Sequence, residues 1–259
     1  MDLGIAGRKA IVCASSRGLG KACALALAQA GCDVVVNGRD AAVLAAAAKE
    51  ISGFAKGRIT PVACDVGTPE GRAALLKACP EPDILINNNG GPPPKAFRSI
   101  GASDILAGVE ANMITPIALI QSVLDGMIAR KFGRIINITS ATVRAPITGL
   151  DVSSGARAGL TAFLAAMARE AAKDGVTINS LQPGMFDTDR LRGTSARMAE
   201  LQKTTPAEMA RARMASVPAR RFGTPEEFGN ICAFLASRHT GYITGQNLLI
   251  DGGLFPGAF

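Results

Sequence analysis

The chain has no tryptophan, a single tyrosine (Tyr242) and a single histidine (His239), and aromatic residues make up only 4% of its 259 positions. Proteins that bind single-stranded nucleic acid stack bases on aromatic faces, and here the basic residues behind the net charge of +7 are spread along the chain. Nucleic acid is therefore not the expected partner; a basic site for an anionic small molecule accounts for the charge equally well. The cysteines, Cys13, Cys23, Cys32, Cys64, Cys79 and Cys232, contain no Cys-x-x-Cys pair, and His239 is far in sequence from all but Cys232. No metal site is expected from that spacing, and buried free thiols are. There is no run of about 18 apolar residues, and "MDLGIAGRKAIVCAS" has neither a basic n-region with a long apolar h-region nor a small-residue cleavage site. A cytoplasmic protein with no membrane partner is the expectation.

What is present is a globular composition, 48% hydrophobic and 19% charged, far from the disordered class. A chain of this length can bury about three quarters of its unfolded surface around one core. Apolar, β-branched runs bounded by Gly, Asp or Asn alternate with alanine-rich stretches of helical length. The expected strands are 9–15, 33–38, 59–65, 83–88, 133–140, 177–183 and 247–251, and the expected helices lie near 18–30, 40–52, 69–78, 103–130, 151–174 and 224–236. Strands this uniformly apolar are buried on both faces, which predicts an α/β fold: one doubly wound, Rossmann-type domain over 1–259, its seven-stranded parallel sheet flanked by helices in right-handed crossovers. Two segments interrupt the alternation, "GGPPPKAF" (90–97) and a long insertion at about 185–221. Both follow strand ends, where such sheets bind ligands, so they are candidate walls of a substrate pocket, the second as a lid; plain surface loops are the alternative.

After the first strand, "CASSRGLGKACALALAQAG" opens a helix at Gly18 and Gly20. A small-residue turn at a helix N-terminus aims unpaired N–H groups and a positive dipole at a phosphate. About twenty residues beyond Gly18, where an NAD-binding protein would carry an acid for the ribose, stand Gly38 and Arg39. Arg39 and Arg17 offer two fixed cations to a 2′-phosphate, which favours NADP(H) over NAD.

From about residue 6 to 253 the sequence resembles the short-chain dehydrogenase/reductase family. "CASSRGLG", spanning Ala14, Ser15, Ser16, Arg17, Gly18, Leu19 and Gly20, resembles the family's Thr-Gly-x-x-x-Gly-x-Gly turn, with Cys13 and Ala14 departing from its first two positions; Ala14 is expected to need only an ordinary φ. "CDV" is similar to the segment that contacts adenine, implying Asp65 and Val66. "NNNG" resembles Asn-Asn-Ala-Gly, carried onto Asn87, Asn88 and Gly90 with Asn89 in place of alanine. "PGMFDT" is similar to the Pro-Gly-x-x-x-Thr segment, implying that Pro183, Gly184 and Thr188 line the nicotinamide. "RRFGTPEEFGNICAFLAS" and "YITGQNLLIDGG" resemble the family's last helix and strand. The resemblance also implies a homotetramer assembled through the two long helices and the terminal strand.

The family's proton relay is an asparagine, a serine, and a tyrosine and lysine four residues apart on one helix. Asn112 and Ser140 match the first two, but the family's usual thirteen-residue step from Ser140 reaches Ser153, and its i+4 neighbour is Arg157. "ARAGLTAF" resembles the family's continuation, so these are substitutions in register. A serine hydroxyl titrates far too high to replace a phenol, and a guanidinium is no base. Arg157 can hold the nicotinamide ribose as a lysine would. Ser140 and Ser153 can together bind a carbonyl, with water, Asp151 or the substrate supplying the proton. Tyr242 is expected to pack near the last strand and not to act.

The reading is an NADP(H)-dependent oxidoreductase acting on a small-molecule carbonyl or alcohol with Asn112, Ser140, Ser153 and Arg157 as an atypical relay. The alternatives are an NADP(H)-binding pseudoenzyme that senses or scaffolds, and a cofactor-independent enzyme similar to halohydrin dehalogenases, against which Ser153 and Thr188 argue. Lys95, Arg144, Arg190, Arg192 and Arg197 around the expected pocket mouth would suit an acidic substrate, and solvated helix faces would explain the same charges.

Overall fold

In the computed structural model, which describes residues 1–257, the strands β1 (Lys9–Val12), β2 (Asp33–Gly38), β3 (Ile59–Ala63), β4 (Ile84–Asn87), β5 (Gly133–Ile138), β6 (Val176–Pro183) and β7 (Asn247–Ile250) form one parallel sheet in the order β3-β2-β1-β4-β5-β6-β7. The order reverses between β1 and β4, which opens a crevice at their carboxyl ends. Helices α1 (Gly18–Gln29), α2 (Ala41–Ser52) and α9 (Pro225–Leu235) share one face; α3 (Pro69–Ala78), α5 (Thr115–Ala129) and α6 (Asp151–Ala172) share the other. β4 and β5 are buried along their whole length, as their Ile/Leu-rich runs require. Edge strand β3 tolerates Pro61, whose missing N–H would break a ladder further in.

Several expected boundaries move. β1 stops at Val12, β3 at Ala63 and β5 at Ile138, because the residues beyond them turn out of the sheet to build loops at the crevice. The helix expected at 103–130 is three pieces: α4 (Ala102–Val109), a π-helical turn over Glu110–Ile114, and α5. Over an 18-residue window this 102–129 run reaches a mean hydropathy of 1.3, enough by composition to cross a membrane. One face of it packs against the sheet through Leu119, Ile120, Val123 and Met127. The insertion at 185–221 is not a loop: it folds into α7 (Asp189–Leu201) and α8 (Pro206–Ser216), which pack on each other.

Two close approaches set the positions of helices around the crevice. A side chain at Gly108 in α4 would begin 2.2 Å from Val152 Cγ1 of α6, and one at Gly159 of α6 would begin 2.9 Å from Met113 Sδ. At the opposite, amino-terminal end of the strands, buried Arg134 donates to the carbonyls of Gly133, Gly175 and Ser237. Its guanidinium and that of Arg8 both lie over the Phe132 ring, at 4.4 and 3.9 Å, where the ring's negative faces offset their charge.

Candidate active site

At the end of β1 the chain turns sharply, with Ala14 at φ 44 and Gly18 at φ 56. Ala14 therefore needs the left-handed region, contrary to the expectation of an ordinary φ, at a cost of about 1–2 kcal/mol for an L-residue. It is held there by its neighbours: Ala14 N donates to Asn37 Oδ1 (3.0 Å), and its carbonyl accepts from Asn88 Nδ2 (3.2 Å). A side chain at Gly20 would begin 2.3 Å from that carbonyl oxygen, so only glycine fits. Ala14→Gly should relieve the strain less glycine's own chain entropy, raising stability by about 0.5–1 kcal/mol in urea denaturation.

Ser15 is fully buried, and its hydroxyl donates to Val12 O and accepts from Asn37 N, so this side chain ties β1 to β2 and is not available to a ligand. Ser16 is half-buried beside Gly38, and Leu19 packs on the core. Arg17 and Arg39 are exposed, and among the described residues neither has an ion-pair partner. Asp40, the acid nearest Arg39, accepts from Ala42 N and Val43 N as the N-cap of α2. Asp65 is exposed with Oδ1 accepting from Gly67 N, while Val66 is buried. Of the cysteines, Cys13, Cys23, Cys32, Cys79 and Cys232 are buried and Cys64 is half-buried; burial pushes the Cys13 thiol up to about 12, so it stays protonated.

Across the switch point, β4 delivers Asn88, Asn89 and Gly90. Asn89 Nδ2 donates to Ala111 O, and Asn112 Nδ2, from the π-helical turn, donates to Gly90 O (3.3 Å). The wider π turn is a common device for aiming a functional side chain, and here it carries Asn112, buried with Oδ1 lacking a protein partner. Among the described residues that oxygen, Asn87 Oδ1 and Thr115 Oγ1 have no partner, and all belong to residues lining one cavity of about 20 Å³, room for a single water, beside Arg157.

Ser140 begins a short 3₁₀ turn, its Oγ accepting from Thr142 N (3.2 Å) and Thr142 Oγ1 (2.9 Å). Ser153 and Arg157 share one face of α6. Arg157 donates from Nε to Ser153 Oγ (3.3 Å), from one terminal nitrogen to Ile138 O (2.7 Å) and from the other to Asn89 O (3.4 Å). It is 8% exposed. Burial, and next the nearby Arg190, lower its pKa to about 10, which still leaves it a cation at neutral pH.

Other candidates are dispersed. Asp151 lies two residues from Ser153, on a different helix face, and accepts from Gly149 N. Tyr242 is fully exposed rather than packed, so nothing in its surroundings suits it to replace a phenol. Lys95 pairs with Asp104, Arg192 pairs with Asp187 and Asp189, and Arg144 donates to Asn247 O. Arg190 alone of these basics is recorded beside the relay residues: a side chain at Gly91 would begin 2.9 Å from an Arg190 terminal nitrogen and 3.4 Å from Ser153 Oγ. Its sequence position gave no sign of that direction. Pro183 and Gly184 end β6, where a Gly184 side chain would begin 2.7 Å from Asp251 Cβ. Thr188 caps α7 by accepting from Leu191 N, and its Cγ2 lies 3.6 Å from where a side chain at Gly18 would begin. The first and last thirds of the chain thus meet across the crevice.

A family model described as Enoyl-(Acyl carrier protein) reductase matches residues 13–255. The chain is 34% identical over 257 residues to 3-oxoacyl-[acyl-carrier-protein] reductase FabG of Vibrio cholerae serotype O1, covering 98% of this chain and 99% of that one. It is 36% identical over 177 residues to acetoacetyl-CoA reductase of Cupriavidus necator, 68% of each chain. Among solved structures it is similar to L-sorbose reductase from Gluconobacter frateurii complexed with NADPH and L-sorbose, at 28% identity and a TM-score of 0.93, covering 99% of this chain and 100% of that chain.

Proposed function

Because this chain belongs to the short-chain dehydrogenase/reductase family, we propose that it is an NADP(H)-dependent oxidoreductase interconverting a small carbonyl compound and its alcohol. The observation that carries the reading is Arg17 and Arg39 standing without carboxylate partners among the described residues, at the exits of β1 and β2. Two unneutralised guanidiniums beside a phosphate-binding turn suit a 2′-phosphate, and Asp40, engaged in capping, does not compete for it. The residues fit the rest of the dinucleotide. Gly18 takes a positive φ and Gly20 admits no side chain against the Ala14 carbonyl, which keeps the turn tight where its backbone must approach a diphosphate; Asp65 and Val66 suit the adenine, and Asn88, Asn89, Gly90, Pro183, Gly184 and Thr188 the nicotinamide half. NADP(H), when bound, supplies or accepts the hydride.

The protein's own part is to bind and polarise the reacting oxygen. Ser140 and Ser153 each accept their recorded bonds through Oγ, which leaves both hydroxyl hydrogens to donate to a carbonyl. Arg157 fixes Ser153 and brings positive charge to a developing alkoxide. Asn112 orders the Gly90 backbone and lines the small cavity, through which water can reach Arg157. With Asp151 turned away and no phenol, the proton comes from water or from the substrate. Losing a placed general acid lowers rates on neutral ketones by about 10²–10⁴. That deficit is what favours the second reading, a nucleotide-binding pseudoenzyme. We further read α7 and α8 as a lid. The exposed apolar residues Ile105, Leu106, Ile114 and Phe163 on α4, the π turn and α6 are read as faces of a homotetramer, and six free thiols as suiting a reducing, cytoplasmic compartment.

An NADPH fluorescence titration followed by a carbonyl screen tests the reading. NADPH is expected to bind tighter than NADH, and Arg39→Asp to weaken NADPH by about 10- to 100-fold while sparing NADH. Absence of binding at millimolar NADPH refutes the reading. Binding with no turnover across the screen leaves the pseudoenzyme.

A further inference from the structure

We propose that the space beside Gly91 is a carboxylate receptor, formed by Arg190 and Arg157, and that the substrate is an oxo acid or the corresponding hydroxy acid. This rests on the oxidoreductase reading for the carbonyl end of the substrate only.

The polar side chains at this point each have a hydrogen to give. Ser153 Oγ already accepts from Arg157 Nε, and Ser140 Oγ accepts twice from Thr142, so both hydroxyl hydrogens face other work. Arg157 has five N–H groups and three recorded acceptors, all neutral oxygens, so each terminal nitrogen keeps one donor. Arg190 reaches the same spot from the first turn of α7, its terminal nitrogens 2.9 and 3.5 Å from the point where a Gly91 side chain would begin.

Among the described residues no carboxylate pairs with these two cations. Asp187 and Asp189 hold Arg192, Asp104 holds Lys95, and Asp151 is engaged with Gly149 N. The buried Arg157 lies close enough to the exposed Arg190 for one guanidinium to perturb the other, so an anion placed between them is attracted by both. A planar carboxylate matches the guanidinium fork. Gly91 supports the same conclusion, because any side chain there would push the Arg190 tip out of the space it occupies.

The test has two arms. In the first, malonate, matched against sodium chloride of equal ionic strength and against neutral malonamide, is added to the cofactor-free protein and thermal melting is followed. Malonate at millimolar concentration is expected to raise the wild-type melting temperature, with the effect lost in Arg190→Gln and partly kept in Arg190→Lys. In the second, NADPH oxidation is compared for acetoacetate and levulinate, each against its methyl ester. The acids are expected to be preferred, and Arg190→Gln to reduce that preference by about 10- to 100-fold through KM, with NADPH affinity unchanged. The proposal is overturned if malonate does no better than chloride, if Arg190→Gln leaves the malonate effect intact, or if the esters turn over as well as the acids. The first arm needs no cofactor, so it decides the receptor even where NADPH fails to bind and the oxidoreductase reading falls.

Discussion

Arg157→Ala is expected to lower NADPH-dependent kcat/KM by about 10³-fold or more, the largest effect of any single substitution at the site. Removing the side chain strips a donor from Ile138 O and Asn89 O, two carbonyls that help shape the crevice, and frees Ser153 from its bond to Nε. Each buried acceptor left unpartnered costs about 1–3 kcal/mol, and the positive charge beside the reacting oxygen is lost as well, a contribution of about 10²–10³ in rate where a single oxyanion donor is removed. The loss therefore falls on both stability and turnover. Arg157→Lys separates the two. A lysine keeps the charge but not the planar fork, so it cannot hold Ser153, Ile138 O and Asn89 O together. Cofactor affinity should recover within about tenfold of the parent, while kcat recovers less. Single-turnover NADPH oxidation with a fluorescence-derived Kd checks this, and equal kcat in Arg157→Ala and the parent would remove Arg157 from the reaction.

The second large effect runs upward. The double substitution Ser153→Tyr with Arg157→Lys restores the phenol and ammonium of the family's relay on the same face of α6, where Asn112 and Ser140 are already in place. A tyrosine whose pKa is lowered by an adjacent ammonium can cycle its proton near neutral pH, as Ser153 cannot. Turnover of a neutral ketone or a 3-oxo ester is expected to rise by about 10²-fold. The same change should weaken any preference for acids, because the new ring needs the room beside Gly91 that Arg190 occupies. Steady-state kinetics on matched acid and ester substrates read both effects. A double variant that binds NADPH and gains nothing would mean that proton supply does not limit the reaction.

Sequence pattern carried the sheet well, because uniformly apolar strands and alanine-rich helices allow few other arrangements. β2 and the start of every other strand lay within a residue of expectation, and the ends that moved, at Val12, Ala63 and Ile138, are places where the chain leaves the sheet to form loops at the crevice. α7 and α8 were not foreseen, although α8 carries a readable start: Thr205, Pro206 and Glu208 make the same capping pattern as Thr224, Pro225 and Glu227 at α9. The π turn had no such signal, since its apolar spacing blends into the helices on either side. Ala14 was misjudged because the left-handed conformation is imposed by Asn37 and Asn88, residues 23 and 74 positions away. The adjacency of Ser153 and Arg157 followed from helical periodicity alone. Arg190 did not: which of the arginines in α7 reaches Gly91 depends on where Asp187 and Asp189 find their partner.

Gly108 has a consequence for how the site responds to its surroundings. Where α4 meets α6, backbone lies against Val152 with no interposed layer of side chains. The spacing between the turn that carries Asn112 and the helix that carries Ser153 and Arg157 is thus set by hard contact, which has little free volume to lose. Hydrostatic compression acts by eliminating voids, so it should draw α7 and α8 toward the crevice well before it alters the geometry of these three groups.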